Sequence, residues 1–159
     1  MTIEEKIVQA LKNKNYTITT AESCTGGLLA GRILNVAGAS AVYNEGHITY
    51  SNEAKERLLG VAHDTLEKYG AVSRQTAAEM AKGAACVANA EVGLSTTGIA
   101  GPGGGTPEKP VGLVYVGCSI NGQVTVEECR FKGNREENRN AAVEAVLQLL
   151  WEQLVTVQP

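Results

Sequence analysis

Aromatic residues make up only 4% of this 159-residue chain, with a single Trp and a single Phe, so the core must be filled by Ala, Val, Leu and Ile. Basic runs are missing as well. The chain has 14 Lys and Arg against 17 Asp and Glu, a formal net charge of -3, and offers neither a field nor a patch to attract nucleic acid or an anionic membrane. No nucleic-acid or membrane partner is therefore expected. No apolar run approaches the ~20 residues of a membrane-spanning helix. The start Met1-Thr2-Ile3-Glu4-Glu5-Lys6 has no basic segment followed by an apolar one, so no signal peptide is read and the cytoplasm is the expected compartment. Cys24, Cys86, Cys118 and Cys129 are widely spaced with no C-x-x-C pair, which argues against a structural zinc site and a thioredoxin-type motif and predicts reduced, mostly buried thiols. No metal and no cofactor are expected.

What the chain does have is glycine, 18 of them in clusters, a pattern that favours close approach of backbone to a ligand. Its length and 43% hydrophobic content fit one globular domain spanning 1–159. Thr2 and Glu5 have capping-box spacing ahead of a short amphipathic helix. Residues 16–20 read as a strand, and Leu28, Leu29, Ile33 and Leu34 fall at helical spacing in a helix expected to stop near Gly38. Residues 46–50 read as a second strand ending in Ser51-Asn52, both good cap residues, followed by a helix over 53–59 closed by Gly60. Ser73 caps a helix over 74–88, residues 92–97 form a strand, and His63 is placed at a turn. Residues 111–120 and 123–131 flank Asn121-Gly122, the strongest hairpin signal in the chain. Asn134 and Glu137 then open a long final helix. The pattern predicts an α/β fold, a three-layer α/β/α sandwich with a mixed sheet, a C-terminal β-hairpin and a long helix after it.

Three stretches carry the chemistry. In Ala21-Glu22-Ser23-Cys24-Thr25-Gly26-Gly27 a strand runs into a helix through paired glycines, which puts Ser23 at an elbow. There the first helical N–H groups are expected to be free for an oxyanion or a phosphate. A plain helix cap is the alternative use of Ser23 or Thr25. In Tyr50-Ser51-Asn52-Glu53-Ala54-Lys55, a lysine in the first turn of a helix has its pKa lowered by the helix dipole and can serve as a base, with Tyr50 relaying a proton or donating a hydrogen bond. The alternative leaves Lys55 solvated and Tyr50 packed at the sheet end. The stretch 98–110 is too rich in glycine and proline for regular structure, and it matches neither G-x-x-x-x-G-K-[ST] nor G-x-G-x-x-G, since Thr106 stands where the third glycine would be. It is either a ligand-facing loop or a flexible connection.

These stretches, with Thr97-Gly98-Ile99-Ala100-Gly101-Pro102-Gly103-Gly104 and Lys109-Pro110-Val111-Gly112, resemble the C-terminal domain of the competence-damage inducible protein CinA in order and spacing. The resemblance covers nearly the whole chain. It implies a nicotinamide-nucleotide amidase that converts nicotinamide mononucleotide to nicotinic acid mononucleotide and ammonia, with Ser23 as nucleophile assisted by Tyr50 and Lys55. It places substrate-binding positions at Thr25, Gly26 and Gly27 and at Thr97, Gly98, Gly101, Gly103 and Gly104. Arg135 and Arg139 are candidates for the substrate's 5′-phosphate. It further implies a homodimer or higher homo-oligomer; many relatives carry this domain behind a larger N-terminal one, for which these 159 residues leave no room, so a stand-alone member is expected. Two other readings stay open: a non-catalytic nucleotide-binding or regulatory module, and a cysteine hydrolase built on Cys24, for which only His47 and His63 are available as partners.

Overall fold

The Thr2 hydroxyl accepts the Glu5 N–H, and this starts α1 (Ile3–Lys14), whose Ile7, Val8 and Leu11 are buried. The computed structural model describes residues 1–156; the last three residues of the 1–159 span expected for the domain lie outside it. After α1 come β1 (Ile18–Glu22), α2 (Leu28–Leu34), a 3-10 turn at Ala39–Ala41, β2 (His47–Ile48), α3 (Asn52–Leu59) and α4 (His63–Tyr69). Then follow α5 (Arg74–Ala88), β3 (Val92–Gly98), β4 (Leu113–Ile120), β5 (Gln123–Arg130) and α6 (Arg135–Thr156). The sheet order is β2-β1-β3-β4-β5; β1 runs parallel to β2 and β3, while β3, β4 and β5 are successively antiparallel. Asn121 and Gly122 both have positive φ, 49° and 85°, as a two-residue type I′ hairpin requires.

The two faces of the sheet are built differently. On one, Ile18, Val92, Leu94, Val114, Val116 and Cys118 pack against Ile7, Leu11, Leu29, Ile33, Val146 and Leu150 of α1, α2 and α6. On the other, small residues let α5 lie close to the strand backbone: a side chain at Gly93 would collide with the Ala81 carbonyl, and the Ser95 hydroxyl donates to the Ala77 carbonyl at 2.6 Å. Helices α3 and α4 join α5 on that face through Leu59, Leu66, Met80 and Ala84. The result is the three-layer α/β/α sandwich with a mixed sheet.

Several boundaries differ from the sequence reading. Helix α2 ends at Leu34, with Asn35 as its C-cap, and not near Gly38. Ser51, extended at φ -90° and ψ 163° with its hydroxyl accepting the Ala54 N–H, is the cap of α3, and Asn52 is the first helical residue. Strand β2 keeps only two residues, His47 and Ile48, and its ladder to β1 ends with Thr49 N–H donating to the Glu22 carbonyl at 2.8 Å. Strand β4 starts at Leu113 and β5 stops at Arg130. His63 opens a helix instead of lying in a turn. The Glu79 carboxylate of α5 accepts from the Ala62 N–H and the Thr65 hydroxyl, a tertiary cap that no local pattern announces.

The stretch 98–110 has definite structure. Its base is closed by Ile99 donating to Leu113 and Gly112 donating to Ile99, its tip by Thr106 and Lys109, and the Lys109 amine donates to the Tyr69 carbonyl at 2.5 Å. The Gly101-Pro102 peptide is cis.

Candidate active site

The site lies beyond the carboxyl ends of β1 and β3, where parallel strands leave a crevice in an open α/β sheet. Glu22, the last residue of β1, has no exposed surface, and its carboxylate accepts from the Thr25 hydroxyl at 2.5 Å and from the Leu29 and Ala30 N–H groups at 2.9 and 3.0 Å. The first-turn donors of α2 are therefore already spent. This corrects the expectation that they are free for an oxyanion or phosphate: a buried carboxylate of the chain itself takes the positive end of the helix. With its hydroxyl hydrogen given to Glu22, Thr25 accepts from Thr96 at 2.7 Å.

Lys55 is 1% exposed, not solvated. Its Nζ lies 3.1 Å from Ser23 Oγ, 2.9 Å from the Thr49 carbonyl and 3.2 Å from the Tyr50 carbonyl. Burial, partly offset by the neighbouring Cys24, pushes its pKa down to about 8, and no carboxylate pairs with it among the described residues. Lowered pKa was expected, but desolvation is the cause found, and the helix dipole is not needed to explain it. Tyr50 is 67% exposed and reaches Lys55 through its main-chain carbonyl; among the described residues its phenol bonds neither Ser23 nor Lys55.

A pocket of about 240 Å³ brings together Ser23, Cys24, Tyr50, Lys55, Thr97, Gly98 and Arg135, with Ala71, Val72 and Ala100 completing the wall. Thr97 is buried and its hydroxyl donates to the Ala71 carbonyl at 2.7 Å. A Cβ on Gly98 would sit 2.7 Å from the Leu113 carbonyl oxygen, so only glycine fits. Thr25, Gly26, Gly27, Gly101, Gly103, Gly104 and Arg139 do not line this pocket. Gly103 and Gly104 are exposed, and the buried Gly101 offers its carbonyl to Arg135 at 2.8 Å. The first turns of α6 tie the two site loops together. Asn138 donates to the Ala100 carbonyl at 2.9 Å, and Arg139 donates through Nε to the Cys24 carbonyl at 2.9 Å and through Nη2 to the Thr25 carbonyl at 3.1 Å.

Sequence reasoning passed over Glu22 and Asn138. The signal for Glu22 was a lone carboxylate closing an uncharged strand just before a helix start; for Asn138 there was none, since the Ala100 carbonyl it donates to lies 38 residues away. Cys24 is buried with its thiol pushed up to about 11 by desolvation, and among the described residues neither imidazole is hydrogen-bonded to it: His47 lies 3.2 Å from the Glu45 carboxylate, and His63 lies beside Glu56 and Glu67. A thiolate nucleophile is thus not prepared at this turn. Among the described residues no cluster of three or more His, Cys, Asp or Glu is placed to hold a metal ion, and no helix is long and apolar enough to cross a membrane.

The family model described as CinA C-terminal domain matches residues 1–154. A CinA-like protein of Kosmotoga olearia is 57% identical over 140 residues, 88% of this chain and 34% of that protein. The chain spans 37% and 38% of two other curated relatives, competence-damage inducible proteins of Clostridium species. Among solved structures, the competence/damage inducible protein CihA of Agrobacterium tumefaciens superposes with a TM-score of 0.92 at 45% identity, covering 94% of this chain and 92% of that one. The competence damage-inducible protein A of Klebsiella pneumoniae superposes with a TM-score of 0.94 at 35% identity, covering 98% and 97%.

Proposed function

Since the chain belongs to the CinA C-terminal domain family, we propose that it hydrolyses the carboxamide of nicotinamide mononucleotide, giving nicotinic acid mononucleotide and ammonia, with Ser23 as nucleophile and Lys55 as its base. The observation that carries this reading is the 3.1 Å approach of a buried, uncompensated lysine to the elbow serine. Two of the three positions around Nζ are taken by the Thr49 and Tyr50 carbonyls, which accept N–H. The third faces Ser23 Oγ. In the neutral amine that position is the lone pair, so the carbonyls orient the base as well as hold it. A pKa of about 8 leaves roughly a tenth of the enzyme with a neutral amine at pH 7.

Ser23 Oγ attacks the carboxamide carbon while its proton passes to Lys55, and the carbonyl oxygen becomes an oxyanion. Lys55 then returns the proton to the amide nitrogen, the C–N bond breaks and ammonia leaves an acyl-Ser23. Water, deprotonated by Lys55, attacks that ester; the C–O bond to Ser23 breaks, Lys55 returns the proton to Ser23 Oγ, and the product leaves as the carboxylate. Tyr50 stands at the exposed rim, where its phenol assists by closing over the bound substrate. The binding of nucleotide with no turnover is the second reading, and ammonia release from the mononucleotide separates the two: none from pure protein, at any pH between 7 and 10, sinks the amidase.

Nucleophile, base and N–H donors are all supplied by the chain. Turnover is therefore expected to persist in excess EDTA; loss of activity restored by zinc or magnesium overturns that expectation. Of the two arginines offered for the phosphate, Arg135 is the better placed, since it lines the pocket and spends one N–H on Gly101, while Arg139 is committed to Cys24 and Thr25. Arg135→Ala should raise KM for the mononucleotide by about 30-fold, the worth of a charge-assisted hydrogen bond, and leave nicotinamide riboside unaffected. Equal losses on both substrates place Arg135 in the fold or the chemistry instead.

A further inference from the structure

The turn 23–27 has its carbonyls held one by one. Ser23 O accepts the Gly26 N–H at 3.2 Å, Cys24 O accepts Arg139 Nε at 2.9 Å, and Thr25 O accepts both the Leu28 N–H and Arg139 Nη2 at 3.1 Å. A trans peptide carries its N–H on the side opposite its carbonyl, so each of these bonds also aims an N–H. The Ser23 N–H goes to Thr96 O and the Gly26 N–H to Ser23 O, whereas those of Cys24 and Thr25 meet no acceptor among the described residues. Cys24 lines the pocket beside Ser23 and Thr25 does not. The helix donors that would otherwise compete are occupied by Glu22.

We propose that the Cys24 N–H is the oxyanion donor of this site and that Arg139 is the residue that positions it. Arg139 holds the peptide between Thr25 and Gly26 by its carbonyl; the N–H of that same peptide holds Ser23 O, and the far side of the Ser23–Cys24 peptide is the Cys24 N–H. The guanidinium is itself fixed, because it springs from α6 one residue after Asn138, which is 1% exposed and bonded to Ala100. Gly26 is shaped for this contact: its φ is +54°, and a Cβ there would lie 3.3 Å from Arg139 Nη2. The inference deepens the serine-amidase reading and rests on it. It gives Arg139 a role that the phosphate assignment does not.

The test compares wild type with Arg139→Met and Arg139→Lys by two readouts: the rate at which a fluorophosphonate modifies Ser23, and kcat and KM for ammonia release from the mononucleotide and from nicotinamide riboside. Arg139→Met should lower kcat and Ser23 modification together by about 100-fold, the size of losing one oxyanion donor. KM should stay within about threefold, equally for both substrates. Guanidinium ion added to the Met variant should recover part of the rate. Arg139→Lys, which can hold only one carbonyl at a time, should show the same split with a smaller factor, and it decides the matter if the Met variant does not fold. A KM increase confined to the phosphate-bearing substrate, or Ser23 modification at the wild-type rate in either folded variant, overturns the proposal. If wild type releases no ammonia but its Ser23 is modified, the amidase reading falls and the modification rates alone judge Arg139. If wild-type Ser23 is not modified at all, no oxyanion site is present and the proposal falls with it.

Discussion

Ser23→Ala should lower ammonia release from nicotinamide mononucleotide by about 10⁴-fold or more, and adding Lys55→Met to it should cost almost nothing further. In the proposed mechanism the two side chains act as one unit: without an oxygen to deprotonate, the base at 3.1 Å has no task, and catalytic residues that depend on each other are strongly non-additive. Ser23 is 8% exposed and makes no cap bond to α2, whose N-cap position is Gly27, so the alanine variant should keep its fold. Near-normal turnover by Ser23→Ala would return the serine to a structural part. Losses that add in full would make Lys55 a substrate-positioning group and leave Ser23 without an identified base.

Lys55→Met alone should be nearly as damaging, and it should also change how stability depends on pH. Burial lowers the folded-state pKa to about 8 from an ordinary value of 10.5. Between those values the unfolded chain holds a proton at this position that the folded chain has released, so stability rises with pH across that window. Below pH 8 both states are protonated and the cost of the buried ammonium is constant. The gain from pH 8 to 10.5 is on the order of 2 kcal/mol after allowance for solvent screening, or roughly 4–8 °C in Tm for a chain of this size. Thiols whose pKa burial raises, such as Cys118 and Cys129, act in the opposite direction above pH 9 but do so in both proteins. The Tm of wild type relative to Lys55→Met should therefore climb over that window. A difference that stays constant means that Lys55 is not held in a desolvated state.

The parts of this molecule that could be read from sequence are those written locally. The Thr2 and Asn134 caps and the Asn121-Gly122 hairpin are set by residues within a few positions of one another, and they occur as read. The elbow at Ser23 and the lysine at Lys55 were legible as motifs, but their states were not. That Lys55 is buried depends on α3 packing against α5 and bringing the amine to Ser23, and that the α2 donors are occupied depends on Glu22 turning inward beneath the turn; both are tertiary facts. Arg139 is read from the sequence as a candidate for the substrate's phosphate, and only a bond closed across 115 residues shows it held by the Cys24 carbonyl. Helix α4 was missed for the same reason, its cap being borrowed from Glu79.

The dependence of kcat/KM on pH for the mononucleotide, measured on wild type from pH 7 to 10, reports the free enzyme's essential base. An activated Ser23–Lys55 pair requires the parameter to rise with pH and level off with an inflection near 8, where burial places the lysine. A profile flat across that range, or one still rising at pH 10 as an ordinary exposed lysine would give, contradicts a buried neutral lysine as the base.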